Sequence, residues 1–225
     1  MKLKVVCILI SVSLIFLFQF GIFAEGSRQK NEFYFNRNEE NMIALTFDDG
    51  PHPRYTYEIL NILKKYGIKA TFFIIGINAS NYPETLKAVA NEGHEIGNHT
   101  FTHQCIKGRS NDQVESDVNR CNDEIYNICG ITPLIFRPPG GIMSESEGVF
   151  TDYKIIYWSI DTLDWAHRSA DDIYEYVINN VKSGDIILMH DYIGYNSPTP
   201  SALELIIPNL LERGFKFVTV SELLA

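Results

Sequence analysis

From Asn41 to its end the chain alternates short apolar runs of β type with longer stretches of helical period, and that alternation points to a mostly parallel sheet wrapped by helices. Strands are expected at Ile43–Phe47, Ala70–Ile75, His94–Gly97, Leu134–Phe136, Ile155–Ile160, Ile186–Met189 and Phe215–Val218. Helices are expected between them at Tyr55–Tyr66, Pro83–Asn91, Asp112–Ile128, Ala170–Val181 and Ala202–Arg213. Gly67, Gly93, Gly130, Gly184 and Gly214 each follow a helical stretch, where a left-handed cap favours a residue without a side chain.

Two other segments precede this pattern. Met1–Ala24 opens with Lys2 and Lys4 and continues as an apolar run from Val5 to Phe23, the shape of an export signal. The run exceeds the usual signal core of about 7 to 15 residues and approaches the roughly 20 that cross a bilayer, so a cleaved signal and a retained N-terminal membrane anchor both fit. Ala24 suits a cut after it, whereas Ile22 is larger than the small residue wanted two positions earlier. In either case the working domain is expected outside the cytosol, secreted or anchored in the cell envelope. Residues 25–40 are polar and aperiodic and read as a tether, which leaves 41–225 as one α/β domain.

Composition narrows the partners. With 45% hydrophobic residues the chain is too apolar to be disordered, and 28 acidic against 19 basic side chains give a net charge of -9. That balance disfavours nucleic acid and anionic membrane faces as partners. Outside the leader Cys105, Cys121 and Cys129 form an odd set without a C-x-x-C, so a free thiol or an intermolecular bridge is expected rather than a cysteine metal cluster. A monomer is expected.

In parallel α/β folds the chemistry gathers at the carboxyl ends of strands. Five such ends carry unusual polar groups: Asp48-Asp49-Gly50-Pro51, Asn98 to His103, Arg137-Pro138-Pro139-Gly140, Asp161 to Trp165, and His190-Asp191. His99 and His103 are four apart, a spacing that on a helical turn would put both imidazoles on one side of a single cation. Asp48 or Asp49 can supply a third ligand, leaving an open position as in catalytic Zn²⁺ sites, while the other carboxylate takes a proton. His190 is placed as a general acid, kept protonated by a carboxylate such as Asp164, and Arg137 as a cation holding Asp48 charged. Each group alone also has a plainer reading as a turn, a cap, a core histidine or a salt-bridge anchor, and Trp165 as core or sugar-facing wall.

Thr46 to Pro51, His99 to His103, Arg137-Pro138-Pro139, Asp161 to Trp165 and Leu188-Met189-His190-Asp191 together resemble the five ordered motifs of the NodB-homology polysaccharide deacetylases, carbohydrate esterase family 4. The resemblance runs from about Ile43 to Leu224. It implies a distorted (β/α) barrel of about seven repeats with a groove open to a polymer. It also implies Asp49, His99 and His103 as ligands of a divalent metal, usually Zn²⁺ with Co²⁺ or Ni²⁺ in relatives. Asp48 would be the base, Arg137 its tuning partner, His190 the acid and Asp164 the residue that orients it. Leu188 and Trp165 would line the acetyl pocket, and the Gly140 N–H would face the oxyanion. Gly140 stands where the family often has Tyr, so an aromatic wall is missing there, and Gly141–Tyr153 is short for the family's helix, so a stunted helix or loop is expected. The implied reaction is removal of N-acetyl groups from an N-acetylglucosamine-type polymer, peptidoglycan or a chitin-like glycan. The rivals are an O-acetyl esterase on xylan, a noncatalytic glycan binder of the same fold, and a metal-dependent phosphoesterase, against which the lack of a second-metal cluster or phosphate-cradling glycine loop in the sequence speaks.

Overall fold

The computed structural model describes residues 41–143, 150, 152–193 and 196–225. The expected leader and tether lie outside the described residues, as do 144–149 and 151 of the segment expected to be a stunted helix or loop.

The described residues form eight strands: β1 (Met42–Asp48), β2 (Thr71–Ile74), β3 (Glu95–Asn98), β4 (Ile135–Phe136), β5 (Lys154–Ile155), β6 (Ile160–Asp161), β7 (Ile186–His190) and β8 (Lys216–Phe217). Seven run in the order β5-β4-β3-β2-β1-β7-β6, and β8 pairs with Met42 and Ile43 of β1, every pairing being parallel. Between them lie α1 (Tyr55–Tyr66), α2 (Gly76–Asn81), α3 (Pro83–Asn91), α4 (Asn111–Cys129), α5 (Ala170–Asn180), α6 (Thr199–Glu212) and α7 (Val220–Leu223).

The single strand expected at Ile155–Ile160 is two strands on opposite edges of the sheet. Laid flat, seven strands at about 4.8 Å spacing would hold those edges about 29 Å apart. The chain from Ile155 to Ile160 can reach about 18 Å when extended, so the sheet has to curl into a half-barrel. Ile156 N–H bonds to Phe136 O at one edge and Ser159 N–H to Ile186 O at the other. The continuous apolar run hid this break, because Ile156 is buried inside the curl and not within a ladder.

Strand alternation then builds two cores. Ile43, Leu45 and Phe47 face outward and pack with Leu60 and Leu63 of α1, Leu86 of α3, Ile173 of α5 and Ile206 of α6. Each fully buried side chain of this kind stabilises the fold by about 1.5–3 kcal/mol. Ala44 faces inward with Phe73, Ile135, Ile156 and Ile186, and Val220 and Leu223 of α7 close the bottom of that inner cluster. Thr46 and Asp48 continue the inward face of β1 toward its carboxyl end.

Helix boundaries follow local chemistry. Ser110 and Gln113 form a capping box at the start of α4, and left-handed Gly67 and Gly130 end α1 and α4. Gly184 does not cap a helix: α5 stops at Asn180 with Val181 extended, and Gly184 sits in the turn into β7, where its N–H bonds to Met42 O. The two short helices, α2 and α7, carry too few residues to show a period, and neither was expected. Cys105, Cys121 and Cys129 are all unpaired thiols.

Candidate active site

All five polar strand ends converge on one face of the half-barrel. β1 delivers Asp48 and then turns sharply, with Asp49 at φ 75 and Gly50 against the buried Asp191 carboxylate, where a Cβ would come within 2.2 Å of its oxygens. Asn78 of α2 donates to Asp49 O at 2.7 Å, and Ile75 N–H to Gly50 O at 3.0 Å. Asp191 is held in turn by Thr56, whose hydroxyl donates to it at 2.5 Å.

His99 follows β3. Its Nδ1 lies 2.7 Å from Arg137 O; a carbonyl can only accept, so Nδ1 carries the proton and Nε2 is left with a free lone pair. That Nε2 lies 3.5 Å from Asp49 Oδ1, and His103 Nε2 lies 3.1 Å from the same oxygen. The three ligand atoms fall within 4.8 Å of one another. Asp49 Oδ1 is buried and accepts no hydrogen bond, so an unpartnered carboxylate oxygen and two imidazole nitrogens face a common point. This donor set fits a small divalent cation. Burial would raise the Asp49 pKa, but the neighbouring imidazoles, His99 foremost and then His103 and His190, hold it below the usual carboxylate range.

The two histidines do not meet on a helical turn. Residues 99–103 form a loop in which Thr100 and His103 take φ 67 and 57, and the left-handed turns bring the ring centroids to 5.0 Å. The two rings meet through these left-handed turns and not through the helical turn expected.

On one flank of the cluster, Arg137 is fully buried inside the curl. Its guanidinium donates to Asp48 Oδ1 at 2.7 Å, Thr46 Oγ1 at 2.8 Å, Tyr157 O at 3.1 Å and Ile156 O at 3.3 Å, and it lies over the Phe73 ring. It therefore ties the base of the site to the segment that bridges the sheet edges. Asp48 Oδ2 is left facing His99 Nε2 at 3.8 Å.

On the other flank, His190 Nδ1 lies 2.7 Å from Asp164 Oδ1. Asp164 is fully buried and also accepts from His190 N–H, Trp165 N–H and the Thr199 hydroxyl. Burial would lower the His190 pKa; the hydrogen bond and charge of Asp164, with Asp48 and Asp49 adding, raise it to about 9. Leu188 precedes His190 by two residues on β7, so both face inward. Trp165 is 53% exposed, which makes it a surface wall and not core. Gly140 is exposed at φ 62, and a Cβ there would meet nothing within 4 Å, so that side of the site is open. Thr199 and Thr56 were not anticipated. Both are lone hydroxyls far along the chain from the carboxylates they serve, and only the fold reveals them.

The polysaccharide deacetylase family profile matches residues 35–148. A peptidoglycan-N-acetylglucosamine deacetylase of Bacillus cereus is 42% identical over 194 residues, covering 83% of this chain and 90% of that protein. The crystal structure of the Bc1960 peptidoglycan N-acetylglucosamine deacetylase superposes with a TM-score of 0.81 at 36% identity, over 85% of this chain and 91% of the other. A family 4 acetyl xylan esterase from Clostridium thermocellum, in complex with a cobalt ion, gives 0.77 at 38% identity over 81% of this chain and 89% of the other. Sequence, curled parallel sheet and convergent polar groups agree, and the chain belongs to the NodB-homology polysaccharide deacetylases of carbohydrate esterase family 4.

Proposed function

We propose that this chain is a divalent-metal-dependent de-N-acetylase of N-acetylglucosamine-type residues in a β-linked glycan, with bacterial peptidoglycan as its substrate and chito-oligosaccharide as a simpler one. The observation that carries the reading is the convergence of Asp49, His99 and His103 between a buried Asp48–Arg137 pair and the partly exposed His190 held by buried Asp164. Asp49, His99 and His103 would hold the ion. A divalent ion there, zinc in this reading with cobalt or nickel as substitutes, supplies a Lewis acid and acidifies water from pKa 15.7 toward about 7.

The chain's own groups divide the proton work. Arg137 occupies one oxygen of Asp48, so the other is free to take the proton of the attacking water. The Gly140 N–H would donate to the oxyanion, a contact typically worth about 2.7–4 kcal/mol. Asp164 holds Nδ1 of His190, so Nε2 carries the proton that passes to the sugar nitrogen as the C–N bond breaks and acetate leaves. Leu188 and Trp165 would bound the acetyl methyl. The apolar run from Val5 to Phe23 supports action outside the cytosol, secreted or membrane-anchored.

Acetate release from N-acetylglucosamine oligomers, peptidoglycan and acetylxylan tests the reading. Release from the first two is expected, abolished by a chelator and restored by Zn²⁺ or Co²⁺. Preferential release from acetylxylan would favour O-acetyl esterase action, and glycan binding with no release would favour a noncatalytic role.

The His190 assignment fixes a pH response. The acid works protonated, so the rate falls as pH rises through its pKa, and kcat/KM is expected to decline on an alkaline limb near pH 9. In Asp164→Asn burial still lowers the His190 pKa while the chief opposing cause is lost and only the smaller contributions of Asp48 and Asp49 remain, so the limb should move to lower pH. An unmoved limb in that variant would remove Asp164 from the role.

A further inference from the structure

The loop that carries His103 has a scaffold outside the groups described so far. Thr100 and His103 both occupy the left-handed region that side-chain-bearing residues avoid, so something must hold the loop there. From one side α2 contributes Gly76 N–H to Thr100 O and Ile77 N–H to Phe101 O, both at 3.0 Å. From the other side a single residue of α4 does most of the holding. Asp117 accepts Phe101 N–H on its backbone carbonyl at 3.2 Å, Thr102 N–H on Oδ1 at 3.1 Å and the Thr102 hydroxyl on Oδ2 at 2.8 Å. Arg109 locks the carboxylate with a 2.8 Å bond to Oδ2 and anchors itself on Gln113 O.

The placement of this acid is unusual. The inward stripe of α4 is Val114, Val118, Cys121 and Ile125, and Asp117 sits on the same stripe, itself only 6% exposed. A buried carboxylate on an apolar face needs donors, and here the loop and Arg109 supply them. By contrast, the His103 side chain is 40% exposed.

We infer that Asp117 is a positioning residue for His103: through Thr102 it fixes the loop conformation that aims the His103 imidazole at the point shared with Asp49 and His99. The inference rests on the proposed reading of those three residues as metal ligands. An amide cannot replace the carboxylate, because both oxygens accept and the –NH₂ of Asn would face either Thr102 N–H or the Arg109 and hydroxyl donors.

The test measures zinc affinity of the full chain by competition with a chromophoric chelator, for the parent, Asp117→Asn and Thr102→Val. Thr102 is exposed, so Thr102→Val removes one bond to Asp117 while keeping the branched shape, and it guards against a folding failure of the first variant. Circular dichroism of the metal-free proteins shows whether each is folded. The zinc Kd of Asp117→Asn is expected to rise at least about tenfold, the loss usual when a support behind a ligand is removed. Thr102→Val should rise by less, and in both variants acetate release should return toward the parental kcat at saturating zinc. Folded variants with the parental Kd would overturn the inference, as would a loss of kcat that excess zinc does not repair. A parent that takes up no zinc would instead overturn the metal reading, and the positioning role with it.

Discussion

Asp48→Asn is expected to lower kcat for acetate release by about 10²- to 10⁴-fold, the usual worth of a positioned general base, while zinc still binds. The variant keeps an oxygen for the Arg137 guanidinium and leaves Asp49, His99 and His103 untouched, so its effect falls on proton transfer. Some stability should be lost as well, since a buried guanidinium then faces a neutral amide. That loss should stay below the about 3–5 kcal/mol expected when one partner of a buried ion pair is removed outright. Acetate release per folded molecule, with thermal melting in parallel, separates the two effects. A folded variant retaining more than a tenth of the parental rate would contradict the role given to Asp48.

Arg137→Leu should produce the largest loss of stability. It leaves Asp48 buried without its partner and strips the donors from Ile156 O and Tyr157 O, the carbonyls of the segment that joins the two sheet edges. Breaking such a pair costs about 3–5 kcal/mol, which for a domain of this size lowers Tm by roughly 10 °C. Arg137→Lys should rescue only part, because an ammonium on a flexible stem cannot reproduce the guanidinium fork over all four acceptors. If Leu melts with the parent, the guanidinium is not what holds the edges together.

Much of this is legible in the residues themselves. The alternation of apolar runs and amphipathic stretches gave a parallel sheet with helices, and polar groups at the ends of expected strands gave the face on which chemistry would gather. Distances between groups remote in sequence, such as Asp48 to Arg137, are set by the curl of the sheet, which no local pattern encodes. The break between Ile155 and Ile160 was hidden because a bridging segment buried inside a barrel is as apolar as a strand. The histidine loop was misassigned to a helical turn because two left-handed non-glycine residues leave no signature in residue type. Thr199 and Asp117 escaped for opposite reasons. A lone threonine carries no signal, whereas an acid on the buried stripe of α4 was a visible anomaly.

The most direct measurement is anomalous diffraction from crystals grown with zinc. A single ion is expected, bound by an Asp49 oxygen at about 2.0–2.2 Å and by Nε2 of His99 and His103 at about 2.0–2.1 Å, with a further position open toward solvent. An ion held elsewhere, or those three side chains turned apart with nothing between them at saturating zinc, would contradict the account.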